Sequence, residues 1–200
     1  MIASLNGHFE VVKYLFECSN PNDYHIYDWN LLLLAAQNGN LKIIEYLVDK
    51  GIKTNEVNEE NQTILMIATL NKHFDIIKYL IENNVDVNER DCDDWTALLF
   101  AAQAGDLEIF KYLVENNANI NDKNNRFQNS FMIAAQNGHL EILKYLYLNK
   151  ININEKDSDG WNALMFATLN NHLDVVKYLY SIHMDLDEKT NNGKTALIIA

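Results

Sequence analysis

Residues 91–123 read DCDDWTALLFAAQAGDLEIFKYLVENNANINDK, and this stretch decides the fold. Thr96 to Gln103 is apolar and rich in small residues, which predicts a short helix. Gly105-Asp106 reads as a turn, with Asp106 placed to cap the helix that follows. Leu107, Ile109, Phe110, Leu113 and Val114 then recur at helical spacing up to Glu115. Asn116-Asn117 stops that helix, because Asn tolerates the left-handed conformation of a helix C-terminus. The rest is polar, apart from single apolar residues such as Ile120, and reads as an extended loop or hairpin.

The pattern recurs along the chain. The tripeptide Lys/Glu-Tyr-Leu centres on Tyr14, Tyr46, Tyr79, Tyr112, Tyr145 and Tyr178, in one step of 32 and four of 33. Alanine keeps the same beat at Ala3, Ala35, Ala68, Ala101, Ala134, Ala167 and Ala200. Two ladders in register leave little room for chance. No single module can bury its apolar faces, but stacked modules can, so an all-α solenoid is expected, stabilised between nearest neighbours. Its full repeats are 25–57, 58–90, 91–123, 124–156 and 157–189, with partial repeats 1–24 and 190–200, in one array over 1–200. The chain begins and ends inside a helix, which is expected of a piece of a longer array. The step of 32 places a one-residue deletion in the Cys18–Tyr24 loop around Pro21 and predicts a different bend there.

Composition narrows the function. The chain has 28 Asp+Glu against 16 Lys+Arg, a net charge of −12, which argues against phosphate-binding surfaces and anionic lipid. Nucleic acid and membrane are therefore not expected partners, and basic partners are favoured. No transmembrane segment or signal peptide is recognisable. Two cysteines, Cys18 and Cys92, form no disulfide framework, and an intracellular, cytoplasmic location is the reading. Phosphate loops, nucleotide-binding glycine motifs and zinc-protease motifs do not occur, so neither an enzyme nor a cofactor is expected.

The repeat resembles the ankyrin repeat, over all 200 residues. The family's Thr-Pro-Leu-His opening is matched by Thr96-Ala97-Leu98-Leu99, Asn162-Ala163-Leu164-Met165 and Thr195-Ala196-Leu197-Ile198, more loosely by Thr63-Ile64-Leu65-Met66, and least by Asn30-Leu31-Leu32-Leu33 and Asn129-Ser130-Phe131-Met132. Its Ala-Ala-x-x-Gly-His appears as Ala134-Ala135-Gln136-Asn137-Gly138-His139. Its Ala-Asp-Val-Asn appears as Val85-Asp86-Val87-Asn88 and Ala118-Asn119-Ile120-Asn121. Pro is missing from every opening, and Leu, Met or Ile stands for His, which bears on local rigidity rather than on the fold. The resemblance implies an ankyrin-type α-solenoid with hairpin-like loops and a protein-binding role carried by the loop tips and the concave side.

Repeating positions read as scaffold. Gly7, Gly39, Lys72, Gly105, Gly138 and Asn171 end the first helices, where a positive φ suits Gly and Asn. Lys72 should cost roughly 1 kcal/mol there and soften its helix pair. His8, His73, His139 and His172 begin the second helices one or more repeats apart, too far for a shared metal, and are assigned to capping. The ladder tyrosines pack between repeats. Pairs such as Glu141–Lys144 mark a solvated face.

Varying positions are the candidate site. The residue before each opening is Trp29, Gln62, Trp95, Gln128, Trp161 or Lys194, so tryptophan recurs every 66 residues. Trp29, Trp95 and Trp161 are the candidate anchors; the alternative is that each ring lies over a neighbouring loop and stiffens the hairpin. Acidic tips accompany them at Glu59-Glu60, Asp91, Asp93-Asp94, Asp157 and Asp159. First-helix ends add Gln37-Asn38, Leu70-Asn71, Gln103-Ala104, Gln136-Asn137 and Leu169-Asn170. The expected function is non-enzymatic display of these residues, by a monomer, to a protein partner offering a basic segment. Alternatives are the substrate-recruiting part of a larger kinase or ubiquitin ligase, or a mechanical spacer.

Overall fold

A computed structural model describes residues 7–18 and 31–200. The chain divides into two compact units, Met1–Cys92 and Asp93–Ala200. The expected deletion around Pro21 lies outside the described residues.

The first unit contains α1 (Phe9–Cys18), α2 (Leu31–Gln37), α3 (Leu41–Asp49), α4 (Ile64–Leu70) and α5 (Phe74–Glu82). In it α2 pairs with α3 and α4 with α5, while α2 stacks on α4 and α1 on α3. The second unit contains α6 (Ala97–Ala104), α7 (Leu107–Glu115), α8 (Ser130–Gln136), α9 (Leu140–Leu148), α10 (Ala163–Leu169), α11 (Leu173–Ser181) and α12 (Ala196–Ile199). Here α6, α8, α10 and α12 form one layer, and α7, α9 and α11 a second. Among the described residues, strand-like pairing is limited to the single antiparallel bridges Val57–Thr63 and Lys123–Asn129, which close two of the hairpins. The helices expected at Thr96–Gln103 and Leu107–Glu115 are α6 and α7.

The two layers differ because their sequences differ. First helices are apolar all round: Ala97 to Ala102 in α6 and Ser130 to Ala135 in α8 are all buried. Such a helix must be covered on every side. Second helices bury a single stripe, Ile76, Ile77 and Leu80 in α5 or Ile142, Leu143 and Leu146 in α9. Each such side chain contributes about 1.5–3 kcal/mol when taken from water. The alanine ladder marks the line of closest approach: Ala35, Ala68, Ala101, Ala134 and Ala167 are fully buried. The tyrosine ladder fills the space between second helices. Tyr145 meets Phe110 edge-on at 6.0 Å, and Tyr178 meets Tyr147 at 6.5 Å.

Polar side chains finish the helix ends. Thr63, Asn129 and Asn162 accept the backbone N–H of Met66, Met132 and Met165 at the starts of α4, α8 and α10. Asp106 caps α7 as expected, accepting from Glu108 and Ile109. At the far ends Asn71, Asn137 and Asn170 donate to the carbonyls of Ile67, Ile133 and Phe166 at 2.8–2.9 Å. Asn83, Asn116 and Asn149 do the same for Tyr79, Tyr112 and Tyr145, each at 2.8 Å. Each of these carbonyls also accepts the backbone N–H of the same Asn, so the amide adds a second bond at a helix end, where carbonyls have spare acceptor capacity. That accounts for much of the asparagine content. Asn71, Asn137 and Asn170, read as first-helix ends on display, remain exposed while their amides bond their own helices.

The capping role assigned to the histidines is also corrected. His73, His139 and His172 stand at the starts of α5, α9 and α11 but make no side-chain cap. Each ring instead reaches back one repeat, its Nε2 bonding the carbonyls of Gln37, Gln103 and Gln136 at 3.0, 2.9 and 3.0 Å. They join repeats rather than close helices. The expected positive φ is present at Gly7, Gly39, Lys72, Gly105, Gly138 and Asn171.

Candidate partner-binding surface

Four of the hairpins are built on one polar residue that accepts the backbone N–H four positions on. Asn58 accepts from Gln62, Asn124 from Gln128, Asp157 from Trp161 and Thr190 from Lys194. Where the first residue is Asn and the last is Gln, their side-chain amides also pair, at 3.0 Å for Asn58–Gln62 and 3.1 Å for Asn124–Gln128. Where the last residue is Trp161, the first is Asp157, whose Oδ1 also takes the N–H of Asp159 at 2.9 Å. Asp157 is therefore hairpin scaffold, and Asp91 is buried at 8% exposure. Both were read as acidic tips. The ladder escapes notice in the sequence because Asn, Asp and Thr share one job there.

Successive tips are tied together. In the first unit Cys92 N–H donates to the Glu60 carbonyl at 3.0 Å. In the second, Asn125, Ser158 and Asn191 donate to the carbonyls of Asp93, Arg126 and Asp159 at 2.9, 2.9 and 3.0 Å. Asn125 Nδ2 adds a bond to Asp93 Oδ1 at 2.8 Å. Within each unit the tips are thus tied to one another at fixed spacing.

On this frame the candidate residues fall as follows. Trp29 lies outside the described residues. Glu59, Glu60, Gln37 and Leu70 are exposed in the first unit. In the second unit, Trp95 and Trp161 are half-buried, each against a phenylalanine of its own first helix. The ring centroids are 5.1 Å apart for Trp95–Phe100 and 5.4 Å for Trp161–Phe166. Each tryptophan is thereby held on a helix, where the sequence offered a free anchor or a loop cover. Asp93, Trp95, Gln103 and Gln136 gather round a groove of about 590 Å³, with Arg126 and Phe166 completing its wall and floor. Trp161, Asp159 and Leu169 line an adjoining hollow of about 240 Å³, again with Arg126, Gln128 and Phe166. Asp94 is exposed at its tip and lines neither cavity.

Arg126 was missed, and only its departure from the repeat could have signalled it. It is the sole cationic side chain lining either cavity. Gln128, named only as the residue before an opening, lines both as well. The groove offers primary amides, which donate and accept, beside aromatic rings and a few charges. That set matches the alternating N–H and C=O groups of an extended peptide. Among the described residues, no group of His, Cys, Asp or Glu could hold a metal ion, and no helix is long and apolar enough to cross a membrane.

Comparison with known proteins agrees with the geometry. The sequence model of the ankyrin repeats matches three times, over residues 1–91, 53–124 and 131–200. Two ankyrin repeat proteins of Acanthamoeba polyphaga mimivirus are similar to parts of the chain. Protein L66 is 38% identical over 56 residues and R837 is 34% identical over 59, each covering 28% of this chain. The matches span 9% and 8% of those relatives' own lengths. Ankyrin repeats are in general protein–protein interaction modules. With the period, the stacked helix pairs and the tied hairpin tips in agreement with these matches, the chain belongs to the ankyrin repeat family.

Proposed function

We propose that the chain is a non-enzymatic binding array that holds an extended, basic segment of a protein partner along its hairpin tips and first-helix ends. The observation that carries this reading is the amide-lined groove of the second unit, which has Trp95 and Asp93 on its wall and Trp161 and Asp159 in the hollow beside it. Stacking on Phe100 and Phe166 fixes both indoles in advance, so binding loses less side-chain entropy. The exposed carboxylates of Glu59, Glu60, Asp94 and Asp159, in a chain of net charge −12, select a basic partner and speed its encounter.

The test is selection from a random peptide library displayed on phage, panned on this chain. Enriched peptides are expected to carry net positive charge. They should lose at least about tenfold in affinity when Trp95 and Trp161 are both changed to Ala, about the loss at two modest anchors. Circular dichroism at the assay temperature verifies that the double variant is folded. Enrichment of neutral or acidic peptides, or affinity unmoved by the double substitution, would remove the groove from consideration.

A further inference from the structure

The hairpin tips carry a third ladder of positive φ, at Asn61 (62°), Asp94 (60°), Phe127 (62°), Gly160 (80°) and Gly193 (75°). Asn, Asp and Gly are the residues that tolerate this conformation, and a bulky aromatic is an outlier in it. The turn is held by the Phe127 N–H donating to the Asn124 carbonyl at 2.9 Å, a bond that any residue there would make, so the side chain itself offsets none of the strain. Phe127 is 60% exposed, and its ring meets no other ring or cation among the described residues. A strained residue whose side chain does nothing for the core points to a role in recognition.

Its surroundings define what would be recognised. The bonds from Asn125 to Asp93 and from Ser158 to Arg126 hold the tip of Phe127 between tips bearing Asp93-Asp94 and Asp157-Asp159. Four carboxylates thus stand against one guanidinium, that of Arg126, which lines the groove. Asp157 spends its Oδ1 on two backbone N–H groups, whereas the exposed Asp159 carboxylate accepts no hydrogen bond among the described residues. An exposed aromatic face within a negative field attracts a cation over the ring. A guanidinium suits it best, being planar, weakly hydrated and able to bond a carboxylate while it stacks.

We infer that Phe127 is the platform on which an arginine or lysine of the partner segment rests, its charge shared between the ring and the carboxylates of the flanking tips. This rests on the basic-segment reading above and adds a residue and a contact to it.

The test titrates a peptide of alternating arginine and glycine into the chain by calorimetry at low ionic strength. Phe127→Asn leaves the charge unchanged, so general attraction is not altered. It should weaken binding about threefold or more, as expected for a cation over an exposed ring. Phe127→Trp should bind at least as well as the parent, and Leu148→Asn, at an exposed position on α9, should have no effect. Thermal unfolding should show Phe127→Asn as stable as the parent or more so, which excludes unfolding as the cause. If Asp94→Asn with Asp159→Asn abolishes binding while Phe127→Asn leaves it unchanged, the platform is wrong and the basic-segment reading stands. If the peptide does not bind the parent chain, both fall.

Discussion

Lys72 occupies a left-handed position, φ 61°, that its counterparts Gly39, Gly105 and Gly138 fill without a Cβ. That conformation costs an ordinary side chain roughly 1–2 kcal/mol. Lys72→Gly should therefore raise the melting temperature by about 2–8 °C for a chain of this size. An unchanged value in a thermal scan would contradict the strain. At Gly105 the reason for glycine is double. A Cβ there would lie 2.2 Å from His139 Cε1, on the ring that bonds the Gln103 carbonyl. At Gly51, φ 88°, nothing lies within 4 Å of such a Cβ. Gly105→Ala should lower the melting temperature clearly more than Gly51→Ala, and equal losses would mean that the histidine contact contributes nothing. Thr96 starts α6 without a cap, its hydroxyl buried and unbonded, where Asn129 and Asn162 cap α8 and α10. Thr96→Asn should stabilise by about 1 kcal/mol in a denaturant titration, through a gained cap and a relieved hydroxyl. At this scale the sequence was legible wherever residue type alone reveals conformation, as with Gly and Asn at positive φ. It was silent at Phe127, because nothing about phenylalanine announces a left-handed tip. It misled at the histidines, whose partners lie 36 residues back.

Both kinds of helix were predictable because each repeats one pattern of burial, apolar all round or apolar in a stripe. The hairpins were legible only as polar connections. Their logic rests on side chains of different types doing equivalent work, and a single repeat shows just one of them. The tyrosines of the second layer carry a pH signature. Burial first, and then the carboxylates of Asp49 and Glu45, raise the Tyr79 phenol above its ordinary value. Burial and Glu115 do so for Tyr145, and burial, Tyr147 and Glu141 for Tyr178. A raised pKa means that the folded chain holds the phenolic proton more tightly than the unfolded chain does. This contribution is complete below the ordinary tyrosine pKa of about 10 and is lost as pH climbs through the raised value. Stability measured in urea should accordingly fall above about pH 10, and Tyr79→Phe with Tyr145→Phe should reduce the fall. A decline of the same size in the double variant would locate the alkaline sensitivity elsewhere.

Across the molecule, residues that keep the 33-residue beat hold the fold, and the proposed binding role falls to those that break it. The beat was read from the sequence alone, because each module needs the next to cover its apolar faces. The site was legible in part. Asp93, Trp95, Gln103 and Gln136 were singled out by variation, and the structure brings them round one groove. Arg126 and Phe127 depart from the residues at the equivalent tip positions too, but the reading followed the tryptophans and the carboxylates and passed over them. The account places the partner segment on the ribbon of tips in the second unit. The most direct test is an amide hydrogen-exchange footprint of that unit with and without the peptide selected from the library. The account predicts slowed exchange at residues 91–95, 124–128 and 157–161 and at the C-terminal ends of α6, α8 and α10. Protection confined to α7, α9 and α11, with the tips exchanging as freely as in the unbound chain, would contradict it.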